Sequence, residues 1–277
     1  ELIPQRAAFP AFEPPLAEVG RFIGFAEPEK VGAISINPPP LIGAAAVSIY
    51  DINSSLNLLD RGSDKRWPIA SITKLMTAVV VSETLSPNTR VVMTERAIAS
   101  EGRAGGFAVG EVFSAEDLVK TMIMASSNDA AMALAGAVNY DEFIDKMRVK
   151  AFDLKMSATT FADPTGLSVL NQSKTDDLEK LARYIAEKDP NILEISARPT
   201  AEITEIKSGI KRLIVSTNRF AGERDFIGGK TGYTEESNGN LLSIFRHNGK
   251  KILIVIFGSK DRFGETEKLF GWVKKNF

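Results

Sequence analysis

Apolar and polar positions divide the chain into a strand-rich beginning, a helical middle and a strand-rich end. Two short apolar runs, 43–51 and 55–60, flank Asn53-Ser54 and predict a β-hairpin. Apolar positions with helical spacing then predict helices over 71–85, 115–125, 129–137, 140–152 and 176–188. Beyond residue 201 the pattern again predicts strands, over 212–216, 226–234, 240–246 and 251–257.

Local signals add detail to this pattern. Ser114 directly precedes the helix at 115–125 and is placed to cap it, with acidic residues in the first turn. Asn248-Gly249 between the last two strands is a strong signal for a tight hairpin. The helix at 71–85 is apolar on nearly every side, which predicts that it is buried in the centre. A final helix over 265–277 has an apolar stripe for packing on the sheet, formed by Leu269, Phe270, Trp272 and Val273.

The segregation of strands and helices predicts an α+β fold. We expect a mainly antiparallel sheet built from both ends of the chain, in a sheet lobe over about 41–65 and 201–277. The helices form an inserted lobe over about 66–200, and a cleft lies between the two lobes. Residues 1–40 are rich in proline and predict an extended arm or linker, part of which docks on the domain through the apolar side chains of Phe9, Phe12, Phe22, Ile23 and Phe25.

Composition narrows the classes of function. The 277 residues are enough for one domain with two lobes, and 44% hydrophobic with 25% charged residues excludes a mainly disordered chain. The formal net charge of −1 leaves no basic excess to neutralise phosphates. We therefore expect no nucleic-acid partner.

Cysteine is absent and His247 is the only histidine, which excludes the usual zinc sites and any disulfide. We expect neither a metal nor another cofactor. No run of 18 apolar residues predicts a membrane-spanning helix. The chain starts at Glu1 rather than Met, so we expect that an N-terminal export signal or anchor was cut away or left out of this sequence. The chain stops after its last predicted helix, so any membrane attachment is expected at the N-terminal side.

The chemistry most compatible with these limits is a serine activated by a lysine. His247 adjoins the Asn248-Gly249 turn, where a side chain is normally exposed. Ser71 and Lys74 are three residues apart and project from one helix face. A lysine with the ordinary pKa near 10.4 is almost fully protonated at pH 7; lowering that pKa by about 3, equivalent to roughly 4 kcal/mol, would make a sizeable fraction neutral. Apolar neighbours in the sequence can bury the Lys74 amine and lower its pKa in this way: Ile69, Ile72, Leu75, Met76 and Val79.

Single motifs in this chain are not specific. The pattern Ser-x-x-Lys also occurs at 208–211, where Gly209 argues against a helix. The pattern Ser-x-Asn occurs at 126–128 and equally at 55–57, 86–88 and 216–218. Lys-Thr-Gly occurs once, at 230–232, in a strand near a predicted sheet edge, where the preceding Gly228 and Gly229 allow another backbone to approach closely.

Four segments in this order resemble the serine-type D-Ala-D-Ala carboxypeptidases, the low-molecular-mass penicillin-binding proteins. The segments are Ser71-Ile72-Thr73-Lys74, Ser126-Ser127-Asn128-Asp129-Ala130, Asp163-Pro164-Thr165-Gly166-Leu167 and Gly229-Lys230-Thr231-Gly232-Tyr233. The resemblance covers about 41–277, as one catalytic domain. It implies a DD-peptidase/β-lactamase-like fold with a five-stranded antiparallel sheet. It also implies removal of the terminal D-Ala from peptidoglycan stem peptides through an acyl-enzyme, with β-lactams as covalent inhibitors.

The resemblance also implies roles for four residues of the first two motifs. Ser71 is the nucleophile and Lys74 is its general base. Ser126 relays a proton to the leaving amine, while Asn128 holds the substrate amide. The turn at 163–166 shapes the rim of the site.

The third motif is implied to bind the carboxylate at the end of the substrate. Lys230 attracts that carboxylate and keeps the general base uncharged, and Thr231 hydrogen-bonds the same group. Gly232 and Tyr233 complete the substrate-binding strand. The backbone N–H groups of Tyr233 and of the nucleophile form an oxyanion hole. Arg219 is a further candidate for facing the carboxylate.

Three other functions compete with that of a carboxypeptidase. A β-lactamase is expected to carry a Glu-x-x-Leu-Asn segment before the third motif, and this chain has none there, so we expect slow release of β-lactams. A DD-endopeptidase that cuts peptide cross-links has the same motifs and stays open. An inactive peptidoglycan-binding protein is disfavoured by the intact motifs. All of these proteins would act outside the cytoplasm of a bacterium, in the periplasm or on the outer face of the membrane.

Overall fold

The helices and strands of the computed structural model, which describes residues 37–102 and 104–277, follow the predicted order. In this part of the chain the strands are β1 (Ala46–Asp51), β2 (Leu56–Arg61), β3 (Trp67–Pro68), β4 (Arg90–Val92), β5 (Val112–Ser114), β6 (Gln172–Ser173), β7 (Thr200–Thr204), β8 (Lys211–Val215), β9 (Phe226–Thr234), β10 (Asn238–His247) and β11 (Lys250–Ser259). The helices are α1 (Thr73–Thr84), α2 (Glu95–Ile98), α3 (Ala115–Met124), α4 (Asn128–Val138), α5 (Tyr140–Asp153), α6 (Thr175–Lys188), α7 (Pro190–Ala197) and α8 (Arg262–Asn276), with a 3₁₀ turn, Ala70–Ile72, before α1.

The main sheet joins both ends of the described chain. Within the described residues it has five antiparallel strands in the order β2-β1-β11-β10-β9. The predicted hairpins β1–β2 and β10–β11 are both present, the second of them turning at Asn248-Gly249. The α+β fold and the sheet built from both chain ends are therefore confirmed. Strand β9, which contains Lys230, lies at one edge of the sheet, as expected for the segment with Lys-Thr-Gly.

Both faces of the main sheet are covered, and this explains the unbroken apolar run in β11. The side chains of Ile252, Ile254 and Ile256 join the cluster that includes α8. The alternate residues Leu253, Val255 and Phe257 join the larger cluster of the helical lobe. Successive side chains of a strand point to opposite faces, so a strand covered on both sides is apolar at every position. The predicted stripe of α8 packs in the first cluster through Leu269, Phe270, Trp272 and Val273.

Helix α1 lies in the centre of the helical lobe. Every residue from Thr73 to Val81 is buried, and helices α3, α4, α5, α6 and α7 all contact it. The prediction of a buried central helix is confirmed. Ser114 caps α3 as predicted, since its Oγ accepts a hydrogen bond from the N–H of Asp117 at 3.1 Å.

Two features of the fold differ from the sequence-based expectation. Helix α7 was not predicted, although Pro190 at its first position is a recognised start signal. The strand predicted over 212–216 does exist as β8, but it pairs with β7 in a separate sheet rather than joining the main one. This small sheet packs against α3. The main sheet therefore resumes at Phe226, not near residue 201.

The predicted arm over 1–40 falls largely outside the described residues, and so do its five candidate docking side chains. Residues 37–40 are described, and Asn37 contacts the last turns of α8. Its carbonyl accepts a hydrogen bond from Trp272 Nε1, and its N–H donates to Asn276 Oδ1, both at 2.7 Å. In the described ranges, no helix combines the length and apolar character needed to cross a bilayer.

The aromatic cluster between the sheet and α8 provides a test of the core. Phe245 is 2% exposed and stacks on Phe270 with 4.3 Å between ring centroids. We expect Phe245→Ala to lower the free energy of unfolding by about 3–5 kcal/mol, because it removes a buried ring and leaves a cavity. Phe152 is 83% exposed, so the control Phe152→Ala should change that free energy by no more than about 0.5 kcal/mol. Urea unfolding followed by circular dichroism measures both, and equal effects would contradict the assignment of the core.

Candidate active site

Ser71 lies in the 3₁₀ turn that leads into α1, and two other backbones press against this turn. Ala70 has a φ of +48°, a conformation that non-glycine residues rarely adopt. A Cβ atom at Gly166 would lie 2.0 Å from the carbonyl oxygen of Ala70, and one at Gly232 would lie 2.8 Å from the carbonyl oxygen of Ile69, next to Ala70. Only glycine allows these approaches. The turn is thus enclosed by the loop before β6 on one side and by β9 on the other.

Lys74 is fully buried, and its amine contacts three oxygen atoms from three segments. Its Nζ lies 2.9 Å from Ser71 Oγ, 2.6 Å from Asn128 Oδ1 and 2.6 Å from the carbonyl oxygen of Thr165. Burial lowers the pKa of Lys74 to about 7, against the opposing effect of the Asp163 carboxylate. A large fraction of Lys74 is therefore neutral near pH 7, as the sequence analysis requires of a general base.

The hydrogen-bond pattern orients this amine once it is neutral. The Asn128 Oδ1 and the Thr165 carbonyl can only accept, so each takes one of the two N–H bonds of a neutral amine. The remaining position of the nitrogen is its lone pair, which faces the Ser71 hydroxyl. In this geometry the lone pair can accept a proton from the Ser71 hydroxyl.

The second motif contacts the third motif through Ser126. Ser126 lies between α3 and α4 with a φ of +59°, and its Oγ accepts a hydrogen bond of 2.8 Å from Lys230 Nζ. Ser127 is the N-cap of α4: its Oγ accepts from the N–H of Ala130 at 3.2 Å. Helix capping thus explains Ser127, whereas Ser126 and Asn128 contact the two lysines of the site.

Lys230 is a second buried amine, 1% exposed, on edge strand β9. Burial lowers its pKa well below the ordinary value, and the charges of Lys74 and Arg262 lower it further. Two cations buried in one site favour the state in which one of them is neutral. Burial by itself accounts for the lowered pKa of Lys74, so the additional effect of Lys230 on Lys74 stays a prediction.

Glycines allow β9 to reach this position. A Cβ at Gly228 would lie 2.6 Å from the carbonyl oxygen of Leu193, in α7. The N–H of Gly229 donates to Ser196 Oγ of the same helix at 2.9 Å. Helix α7, missed by the sequence analysis, therefore supports the strand that presents Lys230.

The rest of the third motif is also close to the nucleophile. Thr231 Oγ1 lies 3.2 Å from Thr217 Oγ1, and the Thr231 side chain is on the strand that borders the turn of Ser71. Tyr233 follows, with its side chain 62% exposed. The expectation that the third motif adjoins Ser71 therefore agrees with the geometry.

Arg219 lies at the surface, and a different arginine contacts the third motif. The Arg219 side chain is 64% exposed, pairs with Glu267 at 3.8 Å and lies over the ring of Phe263. Arg262, at the start of α8, donates from Nη1 to the carbonyl oxygen of Gly232 at 3.0 Å. A role for Arg219 toward the substrate carboxylate stays a prediction.

Arg262 was missed because no motif marks it. Across the main sheet, Gly239 is paired with Tyr233 on one side and with Ser259 on the other. The chain that follows β11 therefore returns to the end of β9. A cavity of about 430 Å³, lined in part by Tyr233, Asp261 and Arg262, opens beside this end.

The turn at 163–166 has a more direct role than shaping the rim. The Asp163 carboxylate accepts hydrogen bonds from the N–H groups of Thr165 at 2.6 Å, Gly166 at 2.7 Å and Ser168 at 2.8 Å. These bonds hold the turn so that the Thr165 carbonyl faces Lys74. The prediction for this segment was therefore incomplete, since the turn supplies one of the three contacts of the amine.

Comparison with known proteins adds independent findings. The sequence profile of the D-alanyl-D-alanine carboxypeptidases, peptidase family S11, matches residues 34–261. A D-alanyl-D-alanine endopeptidase of Haemophilus influenzae is 35% identical over 223 residues, which cover 78% of this chain and 75% of that protein.

The fold is also similar to solved structures of carboxypeptidases and penicillin-binding proteins. The D-alanyl-D-alanine carboxypeptidase of Mycobacterium tuberculosis has a TM-score of 0.79 and 27% identity, over 86% of this chain and 94% of that one. The cefotaxime-bound penicillin-binding protein D2 of Listeria monocytogenes has a TM-score of 0.75 and 29% identity, over 85% of this chain and 99% of that one.

The buried amine predicts a pH dependence of stability. The pKa of Lys74 is about 7 in the folded chain, against an ordinary value of 10.5. At pH values between these two, the unfolded chain therefore binds more protons than the folded chain. Stability must then rise with pH across this window, by about 1.4 kcal/mol for each unit of pKa difference. The variant Lys74→Met lacks this term. We expect wild type to gain stability relative to Lys74→Met between about pH 7 and pH 10 in urea unfolding. A difference independent of pH would show that Lys74 has an ordinary pKa.

Proposed function

The chain belongs to the D-alanyl-D-alanine carboxypeptidase family, and we propose that it hydrolyses its substrate through an acyl-enzyme on Ser71. It is a serine-type hydrolase of the penicillin-binding class with the activity of a D-Ala-D-Ala carboxypeptidase. The observation that supports the site is the contact of 2.9 Å between Ser71 Oγ and the amine of Lys74, which is fully buried and has a pKa of about 7.

Acylation follows from this geometry. The Ser71 oxygen attacks the carbonyl carbon of the penultimate D-Ala while the Lys74 lone pair takes the hydroxyl proton. The backbone N–H groups of Ser71 and Tyr233 stabilise the negative oxygen of the tetrahedral intermediate, an effect of about 3–4 kcal/mol per donor. The C–N bond then breaks, and the leaving amine of the terminal D-Ala receives a proton through Ser126. Asn128 holds the substrate amide.

The terminal carboxylate of the substrate is bound by the third motif. Lys230 and Thr231 lie on β9, and Arg262 bonds to the backbone of the same motif. A carboxylate bound beside Lys230 favours the charged form of this buried amine, and the attraction is strong because little water screens it. We include Arg262 with Lys230 in this role, in addition to the residues that the sequence predicts. Gly232 permits the close approach of this strand to the nucleophile.

Deacylation requires a water molecule, and the chain lacks the Glu-x-x-Leu-Asn segment of β-lactamases before its third motif. The Asp163 carboxylate in this region is engaged by backbone N–H groups that hold the turn. We therefore propose that the protein releases opened β-lactams slowly and is inhibited by them. The cefotaxime-bound relative supports binding of β-lactams.

Cleavage of peptide cross-links is a second candidate for the same site. The relative that is 35% identical is a D-alanyl-D-alanine endopeptidase. In a cross-link, the leaving amine belongs to a second stem peptide instead of a free D-Ala, while the acyl-enzyme is the same. We propose that either activity acts outside the cytoplasm, because peptidoglycan is the substrate; membership of the D-alanyl-D-alanine carboxypeptidase family supports this.

A β-lactam adduct tests the nucleophile. We expect incubation with a fluorescent penicillin to add one molecule of the drug to the protein, detected by intact mass and located on Ser71 by peptide mapping. Ser71→Ala should reduce the rate of labelling by a factor on the order of 10⁴ or more, because no other group replaces the nucleophile. Lys74→Ala should retain reversible binding while acylation stops. A refolded wild type without an adduct, or one labelled elsewhere, would refute the assignment.

Defined substrates separate the two activities. A stem pentapeptide and a purified cross-linked dimer are each incubated with the wild type, and the products are followed by mass spectrometry. The carboxypeptidase is expected to release free D-Ala from the pentapeptide at the higher rate. Preferred conversion of the dimer into monomers would instead identify an endopeptidase. Ser71→Ala serves as the control and should abolish both reactions.

A further inference from the structure

The short segment Ser100–Gly102, after α2, lies against the first residues of α4. Its contacts connect it to Asn128 and to the next residue of the helix. Ser100 Oγ donates to Asp129 Oδ1 at 3.0 Å. Asn128 Nδ2 donates to the carbonyl oxygen of Glu101 at 2.6 Å. The segment Ser100–Gly102 itself contributes no group to the proposed chemistry.

The bond to Glu101 determines which end of the Asn128 carboxamide faces Lys74. A carbonyl oxygen can only accept, so the end of the carboxamide that it bonds must be the NH₂ group. The Asn128 Oδ1 is then directed to the Lys74 amine, where it accepts at 2.6 Å. The opposite orientation would set an N–H donor against an amine and a carbonyl against a carbonyl. The Asn128 side chain is thus held from both ends at 5% exposure.

Gly102 lies directly against the Nδ2 end of this carboxamide. Its φ is +71°, and a Cβ atom built there would lie 2.7 Å from Asn128 Nδ2. That distance is shorter than any ordinary contact. Gly106, in the same loop, has a similar φ of +63°, yet a Cβ there would meet no atom within 4 Å. The two glycines share a backbone conformation but only one of them borders Asn128.

We propose that Ser100–Gly102 is a positioning segment: its backbone orients the Asn128 carboxamide, which in turn aims the lone pair of Lys74 at Ser71. This inference rests on the proposed function, since it concerns the proton transfer from Ser71. Asn128 acts here as one of the two acceptors that occupy the N–H bonds of the neutral amine. Glu101 and Gly102 are positioning residues that act through Asn128.

The test compares Gly102→Ala with Gly106→Ala. Both variants impose a similar backbone strain at positive φ, but only the first adds a methyl group against Asn128. The second-order rate constant of acylation by a fluorescent penicillin is measured for wild type and both variants. We expect a loss of roughly tenfold or more for Gly102→Ala, the size expected when a catalytic group is displaced by a fraction of an ångström to 1 Å. Gly106→Ala should stay within about twofold of wild type. Thermal unfolding shows that each variant is folded.

The pH profile distinguishes positioning from a general loss of structure. A displaced Asn128 Oδ1 no longer accepts from the Lys74 ammonium, so the charged form loses a stabilising contact. The midpoint of the acylation profile should therefore move to lower pH in Gly102→Ala while its plateau falls. The charged groups that face Lys74, Asp163 and Lys230, are unchanged in all variants. A lower plateau with an unchanged midpoint would count against the proposal.

A double-mutant cycle shows whether the effect passes through Asn128. In an Asn128→Ala background the carboxamide is absent, so Gly102→Ala should cause no further loss beyond that of Gly106→Ala. An equal tenfold loss in both backgrounds would overturn the positioning role. Equal rates for the two glycine variants in the wild-type background would overturn it too. Failure of wild type itself to form a Ser71 adduct would instead reject the proposed function, so the two failures are distinguishable.

Discussion

The burial of the Lys74 amine is the constraint on which the site depends. An ammonium removed from water is unfavourable unless other groups replace its hydration, and here the replacement comes from three oxygen atoms instead of a paired carboxylate. These oxygens belong to the start of α1, to α4 and to the turn before β6. The fold must bring two distant segments, those of Asn128 and Thr165, as close to one nitrogen as the nearby Ser71 hydroxyl. The result is an amine with a pKa near neutrality, held by partners that still accept its N–H bonds after it loses a proton.

The rest of the architecture serves this arrangement. Helix α1 is surrounded by other helices, so water does not reach the amine from behind. The main sheet is covered on both faces, and its edge strand β9 packs in both clusters, through Phe226 in one and Ile227 against the other. Glycines at 166, 228 and 232 allow backbones to meet where side chains would collide. Close approach of backbone to backbone is therefore how the turn of Ser71 meets both the loop before β6 and strand β9.

Much of the fold could be predicted from local pattern. The spacing of apolar residues identified the central helix, the strands of the main sheet and the stripe on α8. Such local patterns exist because the buried positions of a helix or strand recur at a regular interval along the sequence. Helix α7 was missed, since it has eight residues and only Pro190 marks its start. The separate pairing of β7 with β8 was missed as well. An isolated strand pattern does not specify its partner, and these strands pack against α3 instead of extending the sheet.

The sequence by itself determined the chemistry available to this protein: a serine three residues before a lysine, a Ser-x-Asn segment, one Lys-Thr-Gly and no alternative base or metal ligands of the usual kind. It also determined where the helices and strands of the main sheet lie, since their patterns are local. The tertiary structure alone decided that the Thr165 carbonyl contacts the amine, that Arg262 rather than Arg219 bonds to the third motif, and that Glu101 orients Asn128. Backbone carbonyls have no residue-specific signature, and contacts between segments far apart in the chain depend on packing that no local pattern records.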